Sequence, residues 1–199
     1  MENMSELSAA ERIQYNRKHG VDPEEYLIEA GVAQETDDDR KLAFTDEFAD
    51  LAREYVDEVT QEGVTEADIA TIFNVYEDDV TEMEDRDYTA YKVLYIIRKW
   101  PSERALELDI ALDRALHEWA DWREEVPPRQ RHRILGSLRS FQDRCFFCDG
   151  PMIFNEEVVQ SCCGDQDVVT IYCDDCEERF VEFLVGEQES DVDVSVDRD

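Results

Sequence analysis

All six cysteines of this 199-residue chain fall between positions 145 and 176, as Cys145-Phe-Phe-Cys148, Cys162-Cys163 and Cys173-Asp-Asp-Cys176. No other feature limits the fold as sharply. Two Cys-x-x-Cys pairs separated by 24 residues can each form a tight turn that aims both sulfurs at one point, as tetrahedral thiolate coordination of Zn²⁺ requires. The opening residues, Met1-Glu-Asn-Met-Ser-Glu, carry no cationic stretch followed by an apolar one, so a cytoplasmic, reducing setting is expected. There, clustered cysteines indicate a metal rather than disulfides. The expected ligands are Cys145, Cys148, Cys173 and Cys176, holding one structural Zn²⁺ per chain, because four thiolates close the coordination sphere. Cys162 and Cys163 stand outside this pattern; hairpin packing, substitution for a ligand and a redox pair all remain open for them.

Asp149-Gly150 follows the first pair as a turn element. Residues 157–161 and 168–172 read as strands joined by a turn at Gly164-Asp-Gln-Asp. The second pair runs into Glu177-Glu-Arg-Phe-Val-Glu-Phe-Leu184, which reads as an amphipathic helix with Phe180, Phe183 and Leu184 inward. This order of knuckle, hairpin and second pair at a helix start resembles the treble-clef zinc fingers over residues 143–186. The resemblance implies that the helix dipole helps keep the thiolates charged. A two-hairpin zinc ribbon is the near neighbour, less favoured because a helix is expected after Cys176.

Residues 1–142 read as a helical domain. Ser8 caps a helix to His19, Asp22-Pro23 opens a second ending at Gly31, and Glu35 to Arg40 is a charged linker. Thr45 caps a longer helix to Glu62, with Phe48, Leu51, Ala52, Tyr55 and Val59 on one face. Tyr88 to Trp100 is expected to be helical, stopped by Pro101. Ser102 then caps a helix with Ala105, Leu108, Leu112, Ala115, Leu116, Trp119 and Trp122 on one face. Val126-Pro-Pro breaks it, and a last helix runs from Arg129 to about Gln142. Residues 187–199 are an acidic tail expected to be disordered. The fold class is thus mostly α with a small α+β zinc-binding module.

Thr65 to Val80 has the spacing of a helix-turn-helix, with small Ala70 at the crossing and Asn74 in the turn, where Asn tolerates a left-handed backbone. It resembles the helix-turn-helix and winged-helix transcription regulators. The would-be recognition helix, however, carries Glu77, Asp78, Asp79, Glu82, Glu84 and Asp85, which phosphates would repel. Packing alone explains it as well.

Charge sets the remaining limits. The chain holds 52 Asp and Glu against 20 Lys and Arg, a net −32, which opposes general affinity for nucleic acid or anionic membrane. No apolar run passes five residues (Val93 to Ile97), too short for a transmembrane helix. Only four basic residues are Lys, and carboxylates are spread along the whole chain. That usage resembles haloarchaeal proteins, whose salt screens self-repulsion. One island runs against it: Arg129, Arg131, His132, Arg133, Arg139 and Arg144, with Asp143 alone opposing. Arg pairs bidentately with phosphate or carboxylate, so this island is the candidate surface for nucleic acid or an acidic partner. Pairing with the chain's own acidic helices is the alternative.

No phosphate-cradling glycine loop is present, and His117-Glu118-x-x-Asp121 lacks the second His of a zinc-protease motif. The expectation is a non-enzyme with no small-molecule substrate: a small zinc-binding regulator or adaptor in transcription or another nucleic-acid process. A protein-binding module with a purely structural zinc comes second, and an unrecognised enzyme third.

Overall fold

The computed structural model describes residues 3–36, 42–83, 88–161 and 164–184. Cys162, Cys163 and the tail at 187–199 lie outside them, as does most of the expected linker; its first residue, Glu35, is in a strand.

Local signals hold near the N-terminus. Helix α1 (Ala9–Lys18) starts with a capping box between Ser8 and Glu11, and α2 (Pro23–Glu29) is capped by Asp22 through the amides of Glu24 and Glu25. Short strands β1 (Ala33–Glu35) and β2 (Leu42–Phe44) pair antiparallel. Helix α3 (Asp46–Glu62) ends at Gly63, whose φ of 78° suits a residue without a side chain. Thr45 stands at its N-cap, but its hydroxyl donates to the Gly31 carbonyl at 2.8 Å instead of accepting from the helix. Helix α4 (Glu66–Phe73) has a Thr65–Asp68 capping box and stops at Asn74, left-handed at φ 51°.

Three expected helices are absent. After Asn74 the chain makes a 3₁₀ turn at Glu77–Asp79 and enters strand β3 (Val80–Glu82), so no second helix of a helix-turn-helix forms. Val75 and Val80 are buried, from a turn and a strand. The acidic run Glu77-Asp-Asp sits where a helix would concentrate like charge on one turn.

Tyr88 to Trp100 is a hairpin: β4 (Thr89–Val93) and β5 (Ile96–Trp100), joined at Leu94-Tyr95 with Leu94 at φ 56°. Its β-branched and aromatic residues suit a pleated surface. Tyr91, Val93 and Trp100 turn inward with Val80, while Tyr95 and Ile97 face out.

Helix α5 (Glu103–Trp119) is the centre of the molecule. All residues from Ala105 to Leu116 are buried except Glu107 and Arg114. Helix α3 packs along it through Phe48, Ala52, Val56 and Val59. The expected single helix breaks at Ala120, where φ is −150°, and Trp122 is buried from the short α6 (Trp122–Glu125). Helix α7 (Pro128–Leu138) follows, with Pro in its first turn, and a 3₁₀ turn at Arg139–Phe141 completes it.

The third departure is at the C-terminal end. Strands β6 (Met152–Ser161), β7 (Gly164–Cys173) and β8 (Arg179–Leu184) form an antiparallel sheet in that order. Gly164 to Asp167, expected as a turn, belongs to β7. Residues 179–184, expected as a helix, pair with β7 from Tyr172 to Val168. The treble clef therefore lacks its helix, and the two-hairpin neighbour describes the sheet better. Pairing with β7 decides this, and it sets fully buried Phe180 on the face opposite to exposed Arg179 and Phe183. The sheet is not a separate body. Cys145, Phe146, Cys173 and Phe180 share one continuous core with α3 and α5.

Candidate metal centre

The two cysteine turns are built alike. In the first, the Cys145 N–H donates to Gly150 O (2.9 Å) and the Asp149 N–H to Cys145 O (2.9 Å). In the second, the Cys173 N–H donates to Glu178 O (3.0 Å) and the Glu177 N–H to Cys173 O (2.9 Å). Each is closed by a left-handed residue at the same place, Asp149 at φ 58° and Glu177 at φ 59°. Two equivalent loops thus present their thiols to each other across the end of the sheet.

All four thiols are free, and their sulfurs lie within 4.8 Å of one another. Cys145 Sγ is 3.9 Å from Cys176 Sγ, and Cys148 Sγ is 3.4 Å from Cys173 Sγ. Four sulfurs each about 2.3 Å from one ion would stand about 3.8 Å apart, so the cluster fits a tetrahedral metal. Cys145 and Cys173 are buried, Cys176 half-buried and Cys148 exposed, which leaves one side open to solvent.

Desolvation pushes the Cys145 thiol up, outweighing the amides of Phe147 and Cys148. Desolvation likewise opposes ionisation of Cys173, but the Cys176 amide, the Cys148 thiol and the Asp175 amide together hold it below the ordinary thiol range. Cys176 is raised, chiefly by desolvation and by its neighbouring thiols Cys173 and Cys148.

Gly150 shows how tightly the loops fit. A Cβ there would lie 2.8 Å from each of Asp175 Cβ, Asp175 Oδ2 and Cys173 Sγ, the opposing loop itself. Arg144 braces the first loop, its Nε donating to Asp149 Oδ1 at 3.0 Å and its Nη2 to Asp149 O.

The Arg island is dispersed. Arg139 is buried, with Nε and Nη2 on the two oxygens of the fully buried Asp109 (2.7 and 2.8 Å) and Nη1 on Phe180 O (3.1 Å). Arg131 is buried and donates to carbonyls of Val126 (2.8 Å), Arg123 (2.8 Å) and Ile72 (3.2 Å), the last at the end of α4. Desolvation lowers its guanidinium to about 10, which leaves it charged at neutral pH. The His132 ring packs against Phe73 (5.2 Å) and Trp100 (5.4 Å), and its Nδ1 is buried. Desolvation, then Arg98 and Arg139, push it down to about 3, so it is neutral. Of the six residues expected to form a contact surface, Arg131 and Arg139 instead serve the interior, because buried carboxylates and helix-end carbonyls demand cationic donors, and the neutral His132 ring is taken up in aromatic packing. Arg144 is paired as described; Arg133 is exposed and Arg129 half-buried.

Sequence reasoning passed over Asp109 and Asp113, two carboxylates four residues apart on α5. Each accepts from an indole N–H, Trp100 to Asp109 (2.7 Å) and Trp122 to Asp113 (2.8 Å), and from an arginine, Arg139 and Arg123. Their signal was present: two carboxylates four residues apart, inside the apolar face of a long periodic helix. The motif at His117 does not converge. Glu118 accepts from Tyr55 OH at 2.6 Å, and among the described residues no second group of three His, Cys, Asp or Glu side chains gathers. No described helix is long and apolar enough to cross a membrane.

No curated protein and no solved structure matches the chain. Two family models do: the central domain of a family of unknown function, DUF8054, over residues 22–140, and the C-terminal domain of the same family over residues 143–183. The second contains all four clustered cysteines. With the central-domain match alone covering more than half of its length, the chain belongs to the DUF8054 family.

Proposed function

We propose that the protein is a zinc-stabilised, cytoplasmic adaptor that works by binding another protein. Zn²⁺ is the ion that four thiolates in a closed set fit best, and such a sphere leaves no position for substrate. Its role is to fix the β6–β8 sheet against α5. The single observation that favours a protein partner over nucleic acid is the fate of the Arg island: Arg131 and Arg139 are buried and hydrogen-bonded inside the fold, and the half-buried His132 packs on Phe73 and Trp100. What remains outward, Arg129, Arg133 and Arg144, is set in a chain of net −32. The even spread of carboxylates supports operation in concentrated salt, where the Debye length falls to about 3 Å at 1 M.

The test is a binding titration with duplex DNA and with RNA over a series of KCl concentrations. No binding is expected at any salt. A complex whose affinity falls with log salt at about −0.9 per phosphate contact would overturn the protein-binding reading and restore a nucleic-acid role.

A further inference from the structure

The β4–β5 hairpin is a stretch of surface whose character opposes the acidity of the chain. Residues 88–100 hold Lys92, Arg98 and Lys99 and no carboxylate, against 52 carboxylates in all. Here too three large apolar side chains are exposed: Tyr95 is 59% exposed, and Ile96 and Ile97 are each 43% exposed. In the sheet order β3-β4-β5, β5 is an edge, and no described strand pairs with its outer side.

The direction of the free backbone groups follows from the register. The Met83 N–H donates to Ala90 O (3.0 Å) and the Leu94 N–H to Asp79 O (2.7 Å), so even-numbered residues of β4 turn their backbone toward β3. The odd-numbered residues turn toward β5, where their partners are Ile96, Arg98 and Trp100. The N–H and C=O groups of Ile97 and Lys99 therefore point out from the edge. The side chains of these two residues share the sheet's solvent face with Lys92, which stands directly opposite Ile97. Among the described residues neither lysine has an ion-pair partner; Lys99 Nζ lies 4.9 Å from the Tyr88 ring.

Unpaired edges with exposed apolar residues are sites of strand addition. We propose that the outer edge of β5 receives an extended acidic segment of a partner protein, which adds as a strand and sets its carboxylates against Lys92 and Lys99 and its apolar residues against Ile97. This rests on the protein-binding reading and supplies its surface. Single-stranded nucleic acid fits worse, because base stacking needs open aromatic faces. The Tyr95 ring already lies under the Arg12 guanidinium at 5.1 Å, and Tyr88 under Lys99. The exposed apolar area between them is aliphatic. Screening confines the chain's general negative charge to short range, so the local lysines decide what can approach.

The probe is a short fluorescent peptide of alternating Asp and Val, titrated onto the full chain. It is expected to bind, to slow hydrogen exchange at the Ile97 and Lys99 amides, and to be about tenfold weaker against the Lys92→Glu/Lys99→Glu double variant. Ile97→Pro removes only an outward N–H and is expected to abolish binding while leaving the hairpin paired. The double variant keeps the test open should the proline disturb folding. Equal binding to wild type and both variants, or equal binding of a Lys-Val peptide, overturns the proposal while leaving a protein partner elsewhere possible. Tighter peptide binding after removal of residues 187–199 would make the chain's own acidic tail the occupant and also overturns it. Competition by oligothymidylate would sink the protein-binding reading itself.

Discussion

Gly150 and His132 show how single residues are fixed by opposite demands. At Gly150 the demand is space: the two cysteine loops meet so closely that a methyl group would contact Cys173 Sγ at 2.8 Å. Gly150→Ala is expected to force the loops apart and weaken metal retention by about 10- to 100-fold, the range for disturbing the groups that orient ligands. Competition with a chromogenic chelator measures it. At His132 the demand is dryness. Its pKa of about 3 in the fold lies below the ordinary value of about 6.5. Between those values the unfolded chain binds a proton that the native state refuses, so stability is present above pH ~6.5 and lost as the pH falls toward 3. The His132→Gln variant should lose this dependence. Urea unfolding across that window should show a slope smaller than wild type by up to about 1.4 kcal/mol per pH unit. The Gly was legible beside its cysteine pair; the burial of the His was not, because nothing local to it announces Phe73 and Trp100.

Among the elements, the second cysteine loop carries a local conflict. Glu177 is exposed and left-handed at φ 59°, a conformation that costs a side-chain-bearing residue about 1 kcal/mol or more, whereas Asp149 at the matching place is a type that tolerates it. Glu177→Gly is therefore expected to stabilise the metal-bound protein by roughly 1 kcal/mol, read as a rise in thermal midpoint without change in metal content. Capping signals at Ser8, Asp22, Thr65 and Ser102 located helix starts from sequence, since each acts through its own next three residues. The hairpin at 88–100 and the strand at 179–184 were misread as helices. Both contain apolar residues at spacings that suit either period, and pairing with β3 and β7 selects between them.

For the molecule as a whole, the family's two domain matches divide the chain between residues 140 and 143, yet the core runs across that division. Ser102 Oγ donates to Arg179 O at 2.7 Å, Arg139 reaches Phe180 O, and Phe180 is fully buried beside α5. Removing the metal should thus loosen more than the C-terminal sheet. Chelation is expected to lower a single unfolding transition seen equally by indole fluorescence, which reports Trp100, Trp119 and Trp122 on the N-terminal side of that division, and by thiol reactivity at the cysteines. Two separate transitions would show independent bodies. The sequence by itself determined which four cysteines could cluster, the helix caps at Ser8, Asp22 and Ser102, and the acidic character of the chain, because spacing, local hydrogen bonding and composition act within a few residues or need no fold at all. Only the tertiary structure decided that Arg139 and Arg131 turn inward and that β5 is left as an edge. A buried carboxylate at Asp109, thirty positions from Arg139, outbids solvent for a guanidinium, and no local pattern records that exchange.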